Sequence, residues 1–233
     1  MNLDVKHRPR TFDDIVGQTI PVAELRKMSI NPDGFPKALL FSGMTGTGKT
    51  SLCYIVASLL NCKKPTEIND ETGIIAKNAC GLCESCKDVI AERWHRDILF
   101  YDGSKIEKQD FERIERATSV VTMYDQNCVV IIEEIQEFAL SRNYGKLLKI
   151  VEHPQEKVYF IFTTMALDKV PVALQKRCTH YKMKPVEPSE ISDYLSRIVK
   201  MEKLSEKFTN DVLMFIAKHS DGDVRNAVKD LTR

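Results

Sequence analysis

No stretch of these 233 residues is long and apolar enough to span a bilayer as a helix, so a helical membrane anchor is not expected. The opening Met1-Asn2-Leu3-Asp4-Val5-Lys6-His7-Arg8-Pro9-Arg10 lacks the layout of a secretory signal. A cytoplasmic protein without a membrane partner is therefore expected. An excess of charge of one sign is also missing: the formal net charge is +1. That rules out a global basic field, so any nucleic-acid contact has to come from a local patch or from several subunits lining one surface. Internal repeats and low-complexity tracts are absent too. What is present is a 43% hydrophobic chain, enough for a sizeable core in one or two domains, and seven cysteines. In a chain of cytosolic character, cysteines point to metal binding rather than to disulfides.

The most informative segment is Gly43-Met44-Thr45-Gly46-Thr47-Gly48-Lys49-Thr50, a complete G-x-x-x-x-G-K-[ST] phosphate loop. The apolar run at 37–42 before it reads as a buried strand, and Ser51 to Leu60 after it reads as a helix. That strand–loop–helix context is what the motif requires. The glycines Gly43, Gly46 and Gly48 allow the backbone to wrap around phosphates, with Thr45, Thr47 and Ser51 completing the loop. The helix N-terminus adds positive dipole. Lys49 is placed to reach the β- and γ-phosphates, and the Thr50 hydroxyl to bind Mg²⁺, so ATP is the expected ligand.

A second signal is Val129-Val130-Ile131-Ile132-Glu133-Glu134, a buried strand delivering two carboxylates at its C-terminal end. Glu133 is expected to hold Mg²⁺ and Glu134 to polarise the attacking water. A solvated acidic strand end is the alternative for this segment taken alone. Further strands are expected at 97–101 and 158–164, with helical spacing between them. This βαβα alternation predicts a parallel sheet covered by helices on both faces. After Pro185 and Pro188 only amphipathic helices follow, at 191–200, 208–219 and 224–231.

Cys62 followed by Cys80-x₂-Cys83-x₂-Cys86 sits in a polar, loop-like stretch at 61–87 that interrupts the α/β rhythm as an insertion. Four thiolates on such an insert suit structural Zn²⁺; an iron–sulfur cluster and plain reduced thiols are the other readings. Cys53, Cys128 and Cys178 fall in apolar or structured segments and read as core residues. Three more residues gain meaning only in combination. Thr164 ends a strand expected beside the acidic one and could sense a γ-phosphate. Arg177 could project into a neighbouring subunit's nucleotide, and Arg225 could fold back from the last helix onto the γ-phosphate.

Together these features resemble the AAA+ motor subunits of DNA-polymerase clamp loaders, most closely the bacterial polymerase III gamma/tau family. The opening Lys6-His7-Arg8-Pro9-Arg10-Thr11-Phe12-Asp13-Asp14-Ile15-Val16-Gly17-Gln18 is similar to that family's K-Y-R-P-x-x-F-x-D-[IV]-V-G-Q. The phosphate loop, the cysteine quartet, Leu147-Leu148-Lys149 with Glu152 and Pro154, Lys169-Val170-Pro171 and Arg177-Cys178 follow in family order. The resemblance implies an α/β P-loop AAA+ domain over residues 1–181 and a helical lid over 182–233. It also implies that Arg8, Pro9, Val16 and Gly17 cradle the adenine. Thr164 would be the first sensor, Arg177 the arginine acting in trans, and Arg225 the second-sensor arginine. The implied partners are other clamp-loader subunits, a sliding clamp and primer–template DNA.

The chain departs from the family pattern at three points. Glu133 stands where the family has Asp, and Lys176 where it has the Ser of S-R-C. The chain also ends at Arg233, where members continue into a helical collar, so a truncated or phage-encoded relative is expected. The first two departures favour a rival reading, a non-hydrolysing, stator-like ATP-binding scaffold. Glu134, Arg177 and Arg225 favour an ATPase.

Overall fold

The computed structural model describes residues 3–31, 34–69, 75–93, 97–119, 127–138, 141 and 143–232. In chain order its elements are α1 (Leu3–Lys6), α2 (Thr19–Ser29), β1 (Ala38–Ser42), α3 (Lys49–Leu60), β2 (Thr66–Asn69), β3 (Ile75–Asn78), α4 (Glu84–Ile90), β4 (Ile98–Asp102), α5 (Lys108–Ser119), β5 (Cys128–Glu133), α6 (Ile135–Phe138), α7 (Tyr144–Glu152), β6 (Val158–Thr164), α8 (Val172–Gln175), β7 (Thr179–Lys182), α9 (Pro188–Met201), α10 (Asn210–His219) and α11 (Val224–Asp230).

The five-stranded sheet has the order β4-β5-β6-β1-β7, and every pairing in it is parallel. Its strands are nearly continuous apolar runs because both faces are covered. The side chains alternate accordingly. Leu39 and Phe41 of β1, Val129 and Ile131 of β5, and Tyr159 and Ile161 of β6 enter one core with α2 and α3. Leu40, Val130, Ile132, Phe160 and Phe162 enter the other, with residues of α5, α6, α7 and α8. Phe41, Phe160 and Phe162 are fully buried, and each such burial contributes about 1.5–3 kcal/mol. This is the α/β AAA+ sheet the sequence led us to expect.

β7 was not anticipated. In Thr179-His180-Tyr181-Lys182 only Tyr181 is buried, so the strand has too little apolar character to stand out in sequence. The edge of β1 supplies its pairing instead. The insert is also more ordered than its loop-like composition suggests. β2 and β3 form an antiparallel pair, and α4 packs on α3 through Val89. Residues 70–74 of the insert lie outside the described residues.

A third core is built from Ile191, Tyr194, Leu195 and Ile198 of α9, Leu213 and Ala217 of α10, and Ala227 and Val228 of α11. The spacing of the α9 set is that of one apolar helix face, and Pro188 occupies the first turn of that helix, where its missing N–H is harmless. Leu3 and Val16 from the start of the chain also pack against this core. Tyr194 Oη donates to the His7 carbonyl at 2.7 Å, and Gln18 and Lys184 bond each other at 2.7 and 3.1 Å. Segments from near the start of the chain thus pack against the C-terminal helices.

Candidate active site and metal centre

The phosphate loop leaves β1 at the point where the strand order reverses: the chain runs from β1 to the far strands and returns beside it as β6. In open α/β sheets ligands bind at such a switch point. Gly48 adopts φ 96° and hands the chain into α3, ten of whose twelve residues are buried. The other end of α3 is fixed by Asn61 and Asn127. The Asn61 amide donates to the Asn127 carbonyl at 2.9 Å, the Asn127 N–H to Asn61 Oδ1 at 2.8 Å, and the Asn127 amide to the Leu60 carbonyl at 2.6 Å. The loop is therefore held by a rigid helix. Lys49 is 7% exposed, and its Nζ donates to the Gly43 and Met44 carbonyls, both at 2.7 Å. Burial pushes its pKa down, and the nearby carboxylates of Glu134 and Glu133 oppose that shift.

β5 delivers the two acids beside this loop. The Thr50 hydroxyl bonds the Glu133 carboxylate directly, which puts two hard oxygen donors side by side. Burial raises the pKa of Glu133, with the Thr50 bond and Arg225 pulling the other way. Glu134 has φ 49°, a left-handed conformation that costs a non-glycine residue about 1–3 kcal/mol and clusters at functional sites. Gly103 supports it: its N–H donates to the Glu133 carbonyl at 2.7 Å, and a Cβ there would stand 2.6 Å from the Glu134 carbonyl oxygen. The Glu134 carboxylate accepts from the Gln136 side chain at 2.7 Å and from the Met165 N–H at 3.2 Å.

One cavity gathers Arg8, Pro9 and Val16 with Thr45, Gly46, Thr47, Gly48, Lys49, Thr50 and Ser51, and with Glu133, Glu134 and Arg225. These residues are spread over more than 200 positions of sequence, and the fold brings them to one wall. Arg225 arrives because α11 docks on the phosphate loop: the Val224 N–H donates to the Gly46 carbonyl at 3.2 Å. Asp223 caps α11 through the Asn226 N–H at 2.8 Å, and its carboxylate packs so tightly on Gly46 that a Cβ there would fall 1.8 Å away. Arg8 lies over the Tyr54 ring at 5.0 Å and pairs with Glu92.

Four predicted residues do not line this cavity. Thr164 is fully buried and donates to Gln136 Oε1 at 2.6 Å, so it reaches Glu134 only through Gln136; its neighbour Thr163 lines the wall. Gly43 packs on the backbone of Met183, and Gly17 on Val186 and Glu190. Arg177 is held elsewhere, 2.7 Å from Glu152 and donating to the Ala173 carbonyl at 2.7 Å. The cavity also has walls that no motif signals, Asp4, Met165, Tyr194 and Val228, with His7 of the opening motif beside them. Tyr194 and Val228 sit on amphipathic helices whose pattern marks a core face rather than a cavity wall, so the part these residues play here becomes visible only once the chain is folded. Gln136, two residues past the positive-φ Glu134 on a four-residue helix, could have been suspected only from its closeness to Glu134.

The cysteine quartet closes on itself. Sγ atoms of Cys62, Cys80, Cys83 and Cys86 all lie within 4.8 Å of one another. Cys80 and Cys86 are 4.0 Å apart, and Cys83 and Cys86 3.4 Å. A tetrahedral ion with Zn–S bonds of about 2.3 Å needs sulfurs about 3.8 Å apart, so the donor set fits. Backbone N–H groups of Leu82 and Cys83 point at the Cys80 sulfur and bring its pKa down to about 6; the Cys80 N–H in turn donates to Cys62 at 3.2 Å. Burial pushes the Cys86 and Cys62 thiols up. Among the described residues this is the one cluster with metal-ligand geometry.

Comparison with known proteins agrees with this geometry. Residues 18–187 match the family model of the DNA polymerase III delta subunit. The chain belongs to that family of DNA polymerase III subunits, and its sequence is similar to the gamma/tau subunits in particular. This AAA+ chain is 31% identical to the DNA polymerase III subunit tau/gamma of Haemophilus influenzae over 96% of its own length and 30% of that protein. It is 29% identical to the gamma subunit of Buchnera aphidicola, over 96% of this chain and 57% of that one. Protein STICHEL-like 1 of Arabidopsis thaliana is 30% identical over 97% of this chain and 19% of that protein. The chain thus spans between a fifth and somewhat over half of these relatives. Among solved structures, a point variant of Thermotoga maritima RuvB superimposes with a TM-score of 0.66 at 17% identity, covering 97% of this chain and 64% of that one, which is a likeness of fold alone.

Proposed function

We propose that this chain is an ATP-binding and hydrolysing AAA+ subunit of a clamp loader, using ATP to place a sliding clamp on primer–template DNA. The observation that carries the reading is the single cavity in which the phosphate loop, two strand-end carboxylates and an arginine from α11 converge. Arg8, Pro9 and Val16 wall the same cavity and suit the nucleoside half. Lys49 would exchange its loop carbonyls for the β- and γ-phosphate oxygens, a trade of neutral for charge-assisted hydrogen bonds. Thr50 and Glu133 would hold Mg²⁺, which when bound neutralises charge on the phosphate oxygens. Glu134 would orient and deprotonate the attacking water once released from Gln136 and Met165, and Arg225 would meet the γ-phosphate. Thr164 would act on this water only through Gln136. The four cysteines would hold one structural zinc as a closed site.

Arg177 lies outside its own chain's cavity and is partly exposed, which suits an arginine offered to a neighbouring subunit. Turnover by an isolated chain should therefore be slow and should rise with protein concentration or added partner subunits. Steady-state ATPase measurements with and without primed DNA and a clamp test the whole reading. Stimulation by both, with Arg177→Ala turning over about 10³-fold more slowly in the assembled state while still binding ATP, is the expected result. Tight ATP binding with no turnover under any of these conditions would replace the ATPase with the scaffold reading.

A further inference from the structure

Asp4 lines the nucleotide cavity, and its Oδ1 is buried without a hydrogen-bond partner among the described residues. The other acids on that wall are engaged. Thr50 bonds Glu133, Gln136 and Met165 bond Glu134, and Asp14 accepts from the Arg10 and Thr11 N–H groups at 3.0 and 2.9 Å. An acceptor shut off from water is costly to keep, and such atoms are normally satisfied; one left open on the wall of a ligand cavity is where a ligand supplies the donor.

Its place in the fold says which part of the ligand that is. α11 touches the phosphate loop at its first residue, through Val224 and Gly46. Val228 lies four residues on, about 6 Å further along the axis, and lines the cavity there. α1, which carries Asp4, packs against α11. Tyr194 and the His7–Pro9 segment close the same part of the wall. Asp4 therefore stands beyond the phosphate loop, where a nucleotide bound by its phosphates would place its ribose and base.

We propose that Asp4 reads the nucleoside half of the bound nucleotide, its Oδ1 accepting a hydrogen bond from the exocyclic amino group of adenine or from a ribose hydroxyl. The proposal rests on the nucleotide reading above. The open Oδ1 is an acceptor and needs a donor from the ligand. It therefore repels a base that presents a carbonyl oxygen in place of the amino group, and it gains nothing from a sugar lacking the hydroxyl.

Calorimetric binding of ATP, 2′-deoxy-ATP, 3′-deoxy-ATP, inosine triphosphate and inorganic tripolyphosphate to wild type, Asp4→Asn and Asp4→Ala decides the matter. A charge-assisted hydrogen bond corresponds to roughly 10–100-fold in affinity. Wild type should lose that factor for the analogue lacking the donor: inosine triphosphate if the amino group is read, a deoxy analogue if a hydroxyl is. Asp4→Ala should lose it for ATP and show no preference among the nucleosides, yet bind tripolyphosphate as wild type does. The melting temperature of nucleotide-free Asp4→Asn should not fall, because an unpartnered buried acceptor stabilises nothing. Asp4 variants that bind every nucleoside triphosphate as wild type does, or that lose tripolyphosphate equally, would overturn the proposal. Wild type that binds neither ATP nor tripolyphosphate would overturn the nucleotide reading beneath it.

Discussion

At its N-terminus α3 meets the phosphate loop, and at its C-terminus the chain passes through Asn61 to Cys62 of the sulfur cluster, yet the two ends are held by different physics. The loop end stands on β1, buried throughout, and on a helix buried over most of its length, so its shape follows from the same packing that makes the sheet. The cysteine end has little apolar material of its own: Ala76, Cys86 and Val89 are its buried apolar residues among those described between 62 and 90. A site built into a core keeps its geometry without its ligand. A site built from four sulfurs and a short hairpin depends on what the sulfurs hold.

Removing metal should break this contrast most visibly. Zinc-finger peptides gain about 10–16 kcal/mol from their ion, so chelation or Cys83→Ser should make residues 61–90 sensitive to protease. ATP binding at the other end of α3 should survive within a few-fold. Purified protein without zinc, or with iron and a visible absorption band, would refute the zinc assignment. Joint loss of ATP binding would show that α3 transmits disorder from one end to the other.

At the loop end the effects should fall on function and spare stability. Glu134→Gln should lower ATP turnover by about 10²–10⁴-fold, the range of general-base catalysis, and leave ATP affinity intact. Single-turnover assays beside equilibrium binding would check this, and a matched loss of affinity would place Glu134 in binding instead. Lys49→Ala should weaken ATP binding by at least about 100-fold, since it removes charged hydrogen bonds to phosphate. Its melting temperature without nucleotide should hold or rise, because burial penalises the Lys49 cation. A clear fall would mean that the loop needs its lysine to fold, which would draw the two ends of α3 closer in kind.

The smallest expected effect lies at β7. His180 bonds Ser42 at 2.7 Å, just before the loop, and burial, then Lys182, lowers its pKa from 6.5. The unfolded chain therefore takes up the proton first as pH falls. Stability is full above pH 6.5 and declines as pH drops below it toward the folded-state pKa. Thermal melts between about pH 5 and 7.5 should show a slight acid-side loss that His180→Gln flattens.

Features carried by short-range geometry were legible in the chain. Gly48 and Lys49 belong to one turn, the run from Cys80 to Cys86 spans seven residues, and β5 and β6 announce themselves as apolar runs because each is buried on both faces. β7 could not be read, because one buried tyrosine is too little pattern and its hydrogen bonds come from β1. The hairpin in the insert escaped for the same reason. Residue order alone also could not tell Thr163 from Thr164. The strand's alternation at its last turn puts one on the cavity wall and the other against Gln136, and that choice depends on where β5 ends beside it.

By itself, then, the sequence determined the phosphate loop, the acidic strand end, the sulfur quartet and the sheet that orders them, since each is written in neighbouring residues and their local backbone. Only the tertiary structure decided that α11 brings Arg225 to the loop, that α1 brings Asp4 to the same cavity, and that Arg177 is held away from it by Glu152. Those placements join segments up to about 220 positions apart, and they follow from which apolar faces pack together, a property of surfaces that no short stretch of sequence contains.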